Sequence, residues 1–130
     1  MTTWATVGTG YTTSGGFVGN VQSMLWASGY PSTVGTVDQA FGTGTKNAVK
    51  LFQTANSVTS DGVVGSGTYD KFEDYTMNTG FQARRYQNSG STTYLVDYGQ
   101  YPNGSGGYVE YDLMNYYNNT LVKAGTVYSY

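Results

Sequence analysis

An eight-residue pattern that occurs twice constrains the fold of this chain more than any other feature. Residues 38–45 read DQAFGTGT and residues 61–68 read DGVVGSGT, so both have Asp, two variable residues, an apolar residue, Gly, a hydroxyl residue, Gly and Thr. The Asp side chain can accept hydrogen bonds from backbone amides two or three residues later, which closes a tight turn. We therefore expect two equivalent turns in the folded chain.

Each copy of the pattern is followed by apolar residues at helical spacing. They are Ala48, Val49, Phe52 and Ala55 after the first copy, and Tyr69, Phe72 and Tyr75 after the second. We expect Thr43 and Ser66 to cap these two helices through their side-chain oxygens. We also expect Gly42 and Gly65 to adopt backbone angles that other residues resist. Neither copy has the density of oxygen ligands that a calcium loop requires.

A further helix is predicted upstream, over residues 17–28. Its apolar positions are Phe17, Val18, Val21, Met24 and Leu25, which share one face at a period of 3.6 residues. Gly29 follows and suits the left-handed position that ends many helices. Pro31 then opposes continuation, because the residue before a proline avoids helical angles.

Residues 15–75 together resemble a peptidoglycan-binding domain of the three-helix type found in wall hydrolases, endolysins and spore-cortex enzymes. The resemblance is carried by Val18, Val21, Gln22, Leu25, Gly29, Tyr30, Asp38, Phe41, Gly42, Thr45, Ala48, Val49, Lys50, Phe52, Gln53, residues 61–65, Thr68 and Phe72. The chain departs from the family pattern at Gln39, where Gly is usual, and near Gly44, where Pro is frequent. The loop over residues 31–37 is also longer than expected.

The resemblance implies a compact helical bundle that recognises wall glycan or stem peptide without cutting it. It places the candidate ligand contacts near the two turns, at Tyr30, Asp38, Gln39, Thr45 and Tyr69. Ordinary capping and packing is the alternative explanation for each of these five residues.

After Tyr75 the apolar pattern changes from helical spacing to alternation, and residues 76–130 contain ten of the fourteen Tyr. Strands are predicted over residues 93–98, 108–113 and 121–124, with two more near residues 81–87 and 126–130. Short connections rich in Asn and Gly favour antiparallel pairing. We expect a small antiparallel sheet that either packs on the bundle or forms a second lobe.

The tyrosines of this sheet allow two interpretations. A ring with a polar tip suits a half-buried sheet face. Alternatively, Tyr94, Tyr98, Tyr108 and Tyr111 form an aromatic platform for glycan or an interface between subunits.

The predicted fold class is therefore α+β, a three-helix bundle followed by a Tyr-rich antiparallel sheet. Residues 1–14 are predicted to form an extended arm, residues 15–76 the helical domain and residues 77–130 the sheet. The arm contains Trp4 and Tyr11 but shows little core signal. We expect it to add to a sheet or to reach a neighbouring subunit.

The composition argues against several kinds of catalysis. The chain has neither His nor Cys, which removes Ser-His-Asp and Cys-His nucleophiles and ordinary zinc sites. A glycosidase would need two suitably spaced carboxyl groups. The candidates Glu73, Asp97, Glu110 and Asp112 are predicted to lie on solvated faces. We expect no enzyme, no catalytic residues, no metal and no cofactor.

The chain has six scattered basic residues, so we expect no nucleic-acid partner. It lacks the roughly 18 consecutive apolar residues of a membrane span and begins without a secretory signal.

We expect a cell-wall-binding protein that is phage-encoded and located on the virion surface or outside the cell at the wall. The alternative is a structural virion component, such as a capsid decoration or tail protein. It would use the fold to assemble with itself or with other virion subunits.

Overall fold

A computed structural model describes residues 1, 4–80, 82–88, 93–101, 108–118 and 120–127. In these residues helices precede strands, which confirms the α+β class. The helices are α1 (Gly16–Ala27), α2 (Pro31–Val34), α3 (Thr43–Ala55) and α4 (Ser66–Glu73). The strands are β1 (Thr76–Gly80), β2 (Ala83–Tyr86), β3 (Tyr94–Tyr101), β4 (Tyr108–Asn115) and β5 (Leu121–Val127).

Helix α1 lies at the centre of the protein, and ten of its twelve residues are buried. The residues of the predicted apolar face are all buried. The helix contacts α2 and α3 and also β3, β4 and β5, with Gly19 against Tyr111 and Trp26 against Tyr94. The helix ends as expected, with Gly29 at a φ of +100°. Pro31 does not leave an irregular loop, however, because it begins the one-turn helix α2, where proline suits the first position.

The described strands form one antiparallel sheet in the order β1-β2-β3-β4-β5, so each strand pairs with the next. The sheet packs on the bundle, which decides between the two alternatives that the sequence left open. The region near residues 81–87 becomes β2, and β1 was not anticipated as a separate strand. The two short strands expected near residues 121–124 and 126–130 are one continuous strand up to Val127, and residues 128–130 lie outside the described part.

The N-terminal segment is part of the same core. Trp4 is only 4% exposed and its ring contacts those of Phe17, Tyr69 and Tyr98. The expectation of little core signal was therefore wrong, because an isolated Trp among Thr and Gly has no periodicity to reveal its burial. The segment also bridges both turns, since Val7 pairs with Val64 and Ser14 pairs with Ala40.

Candidate functional site

The first of the two repeated turns is built around the buried side chain of Gln22. Its amide nitrogen lies 3.0 Å from each of three acceptors, which are Asp38 Oδ1, Thr45 Oγ1 and the Ala40 carbonyl. Its oxygen accepts the backbone N–H of Gln39 at 3.0 Å. Two amide hydrogens thus serve three acceptors, and the α1 side chain fixes the path of the turn.

The second turn repeats this network around Gln53 of α3. The Gln53 amide donates to Asp61 Oδ1 and the Val63 carbonyl at 2.9 Å and to Thr68 Oγ1 at 3.1 Å. Its oxygen accepts the Gly62 N–H at 3.0 Å. Every contact has its counterpart in the first turn, so the repeated unit is a helix glutamine together with the Asp and Thr of the octet.

The Asp side chains close the turns as predicted. Asp38 Oδ1 accepts the Ala40 N–H at 3.0 Å and Asp61 Oδ1 accepts the Val63 N–H at 2.9 Å. The Gln22 hydrogen bond, followed by the Ala40 N–H, lowers the pKa of Asp38. The Val63 N–H, followed by Gln53, lowers the pKa of Asp61. Both carboxyl groups are exposed but already hold protein donors.

The predicted caps are one residue out of place. Helices α3 and α4 begin at Thr43 and Ser66, so the capping position falls on Gly42 and Gly65, which have no side chain to cap with. The two glycines have φ values of −107° and −100°, which any residue adopts. The expectation that these glycines adopt backbone angles that other residues resist was wrong, because the left-handed angle lies at another position of the turn.

The left-handed angle lies at the second position of each octet, where φ is +62° at Gln39 and +76° at Gly62. Binding of each backbone N–H by the helix glutamine holds this position in the turn. A side chain at such an angle is strained. Because glycine adopts this angle without strain, Gly is usual in the family at the position of Gln39.

Gln39 is bound to the sheet. Its side-chain amide donates to the hydroxyl of Tyr111 at 3.0 Å. The Tyr111 ring reaches from β4 between Gly19 of α1 and Gly125 of β5, and a Cβ at either glycine would overlap with it. The residue that departs from the family pattern therefore joins the first turn to the sheet.

The five candidate ligand residues do not form one surface. Thr45 is 2% exposed within the Gln22 network, and Tyr69 is 1% exposed with its hydroxyl donated to the Ala5 carbonyl. Burial raises the pKa of Tyr69. Tyr30 is half-buried, and burial and then the neighbouring Tyr75 raise its pKa. Asp38 and Gln39 remain adjacent at the surface of the first turn.

The four candidate platform tyrosines do not share an exposed face either. Tyr98 and Tyr111 are opposite each other in the β3–β4 register and point inward, with 3% and 1% exposure. They are not part of an exposed platform, because the bundle covers this face of the sheet, with Trp4 against Tyr98 and Gly19 of α1 against Tyr111. Tyr94 is half-buried and packs on Trp26 at 5.0 Å. Tyr108 begins β4, and its side chain lies outside the described part.

The candidate carboxyl groups lie on solvated faces, as predicted. Arg85 binds Asp97 through two hydrogen bonds of 2.8 and 3.2 Å, and the amino group of Met1 pairs with Glu73. Partial burial and the Asp97 charge raise the pKa of Asp112. Within the described ranges, no three acidic side chains are grouped closely enough to hold a metal ion.

A cleft beside the first turn was not found from the sequence. It has a volume of about 520 Å³ and lies between the α1–α2 region and β5. We call it the Trp26 cleft. Its lining residues are Trp26, Pro31, Gly35, Thr36, Val37, Val122 and Lys123. The Trp26 indole N–H donates to the Gly35 carbonyl at 2.8 Å, which fixes the ring. The available signal was Trp26 itself, an aromatic residue outside the predicted apolar face of α1.

Comparison with known families gives a match in the helical part. Residues 14–72 match the family described as "Putative peptidoglycan binding domain". This match confirms the resemblance of residues 15–75 and supports peptidoglycan binding at the cell wall. By its description the family is one of binding domains rather than of catalytic ones. No curated protein and no solved structure matches the chain. None of the helices in the described ranges is long and apolar enough to cross a membrane.

Proposed function

We propose that this chain binds bacterial peptidoglycan without cleaving it, through the surface of the first turn and the adjoining Trp26 cleft. The observation that carries the proposal is the family match of residues 14–72. The matched segment includes both glutamine-centred networks, which build the frame of the bundle. The networks themselves are structural, so the ligand must contact groups that they leave exposed.

The first turn and its cleft offer such groups. Asp38 Oδ2 and the side-chain oxygen of Gln39 make none of the hydrogen bonds described above, and the cleft supplies the half-buried faces of Trp26 and Pro31. Ligand sites combine a mostly apolar lining with a few polar groups that set orientation, in volumes of roughly 300–1,000 Å³. The cleft of about 520 Å³ falls in this range.

Binding without cleavage agrees with the chemistry of the chain. It lacks the His and Cys that most wall amidases and peptidases need. Of the carboxyl groups weighed for glycosidase chemistry, Asp97 is held by Arg85 and Glu73 by the amino terminus. Incubation of the full chain with purified sacculi, followed by assay for released reducing sugars and amino groups, would reveal cleavage and so contradict this part of the proposal.

Co-sedimentation of the full chain with purified sacculi tests the binding itself. We expect the protein to sediment at low and moderate salt. Val122→Glu should weaken sedimentation at least tenfold, since it introduces a carboxylate at the rim of the cleft at a position 39% exposed. Tyr11→Glu, which changes a residue 62% exposed outside the cleft, is the matched control and should leave sedimentation unchanged. A wild-type protein that stays in the supernatant at both salt concentrations would overturn the proposal.

We also propose a setting for this activity, on the surface of a phage particle that reaches the wall. An exposed apolar patch at the β4–β5 turn, formed by Tyr116, Tyr117 and Leu121, supports assembly with other subunits in such a particle. Large apolar side chains grouped at a surface favour assembly with other subunits. Light scattering should show self-association that Leu121→Lys abolishes. A monomeric mass at millimolar concentration would contradict assembly through this patch.

A further inference from the structure

We propose that the Trp26 cleft binds the carboxylate end of an alanine-type wall peptide, and that Lys123 pairs with the carboxylate. This proposal rests on the proposed function and specifies its ligand. The occupant is a short peptide with small apolar side chains and a free terminal carboxylate. Apolar walls would contact its methyl groups, and the Lys123 ammonium would bind its charge.

The cleft has one charged group among the described residues that line it. That group is Lys123, and the apolar side chains around it are those of Trp26, Pro31, Val37 and Val122. In the β4–β5 register Lys123 is opposite the buried Leu113, so its side chain leaves the strand on the side that faces the bundle. A single cation beside apolar walls is complementary to an anionic group on an apolar ligand.

Lys123 has no carboxylate bound within the described part of the chain. The ion pairs there join Met1 to Glu73 and Arg85 to Asp97. Lys123 is near enough to Asp38 to contribute to the lowered pKa of that carboxyl group, but it is the smallest of the causes, and Gln22 and Ala40 hold Asp38 by hydrogen bonds. The ammonium group therefore keeps its capacity to bind an external anion.

The lining favours a peptide over a glycan strand. A sugar carries several hydroxyl groups, and burying each one without a partner is unfavourable. Of the described residues that line the cleft, Thr36 alone has a hydroxyl group, and the Trp26 N–H is already donated to Gly35. Valine and proline walls instead suit methyl groups, so an alanine-type peptide would place its side chains against them and leave its backbone amides towards solvent.

One wall of the cleft lies outside the matched family segment. Val122 and Lys123 belong to β5, whereas the match ends at residue 72. The helical bundle alone would therefore lack both the cation and one apolar wall. By this reasoning the sheet contributes the selectivity of the site, and the bundle contributes Trp26 and the frame.

Titration of the isotope-labelled full chain with N-acetyl-D-alanyl-D-alanine, followed by NMR, tests the proposal. We expect shifts at the Trp26 indole N–H and at the backbone amides of Val122 and Lys123. The same peptide with an amidated C-terminus should bind at least tenfold more weakly, because it lacks the charge. Lys123→Gln should weaken binding of the acid at least tenfold, while Lys71→Gln on α4 should leave it unchanged. Lys123 is exposed, so its substitution should not disturb folding.

The same samples are then tested on intact sacculi and on glycan strands stripped of peptide. Sedimentation with sacculi but no NMR shift with the acid would overturn the peptide assignment and leave the proposed function standing. Binding to stripped glycan as strong as to intact sacculi would also overturn the assignment. Failure with both sacculi and peptide would overturn the proposed function together with this inference.

Discussion

Substitution of Gln53 by leucine should destabilise the protein, although leucine is the more hydrophobic residue. Gln53 is 1% exposed, and its amide satisfies the buried Gly62 N–H and the Thr68 hydroxyl group. Asp61 is exposed and Val63 is half-buried, so the Asp61 carboxylate and the Val63 carbonyl can replace their lost bonds with water. The other two groups are left buried and unpaired, which costs about 1–3 kcal/mol each. After allowance for the apolar gain of leucine, we expect the free energy of unfolding to fall by about 3 kcal/mol.

Urea denaturation followed by circular dichroism measures this loss. With a slope of about 1–3 kcal/mol per molar urea, the midpoint should fall by roughly 1–3 M. Gln22→Leu should cost about as much, because Gln22 makes the same four contacts in the first turn. Gln100→Leu on β3 is the control, where we expect a change within about 0.5 kcal/mol. Losses below about 1 kcal/mol for both Gln22→Leu and Gln53→Leu would refute a stabilising role for the networks.

Three further predictions concern the turns and the buried phenols. Gln39→Gly should leave the urea midpoint nearly unchanged, because relief of strain at a φ of +62° offsets the lost hydrogen bond to Tyr111; Gln39→Ala keeps the strain and should be about 1 kcal/mol less stable than Gln39→Gly. Burial raises the pKa of Tyr98 to about 12, so its contribution to stability should be complete below pH 10 and lost as the pH rises through 12. Absorbance at 295 nm during alkaline unfolding checks this, and Tyr98→Phe should reduce the alkaline loss. Because folding lowers the pKa of Asp61, its ionised carboxylate stabilises the fold at pH values above the ordinary Asp pKa near 3.9. This contribution should disappear as the pH falls through the lowered pKa. Asp61→Asn should therefore flatten the acid limb of a stability–pH curve.

The helices were predictable from the sequence because their signals are local. The apolar spacing predicts α1, and the repeated octet predicts α3, α4 and the Asp turns. Each turn depends on residues only two positions apart. The glutamines that organise the turns act over longer distances, with Gln22 sixteen residues from Asp38 and Gln53 eight from Asp61. The octets alone therefore predict the strained backbone angle and the helix cap at the wrong positions.

The site was less predictable because it depends on packing between distant segments. Alternation correctly indicated strands, but which tyrosines face inward depends on where α1 lies across the sheet. Trp4 gave no periodic signal and is buried by contacts with three separate elements. The cleft joins Trp26 to Lys123, and no pattern within one segment relates residues so far apart. Of the candidate contacts, Asp38 and Gln39 adjoin this region at the surface of the first turn.

The burial of α1 on both sides has a consequence for how this folded unit could be moved between proteins. A fragment that ends after α4 would uncover Gly19 and Trp26 of α1, which contact Tyr111 and Tyr94 of the sheet, and would so expose a strip of apolar surface. Such a strip promotes aggregation. Bundle and sheet should therefore melt together in one transition. A fusion that transfers the bundle to another protein should therefore include the chain through β5. The unit to transfer is the N-terminal segment together with the helices and the sheet.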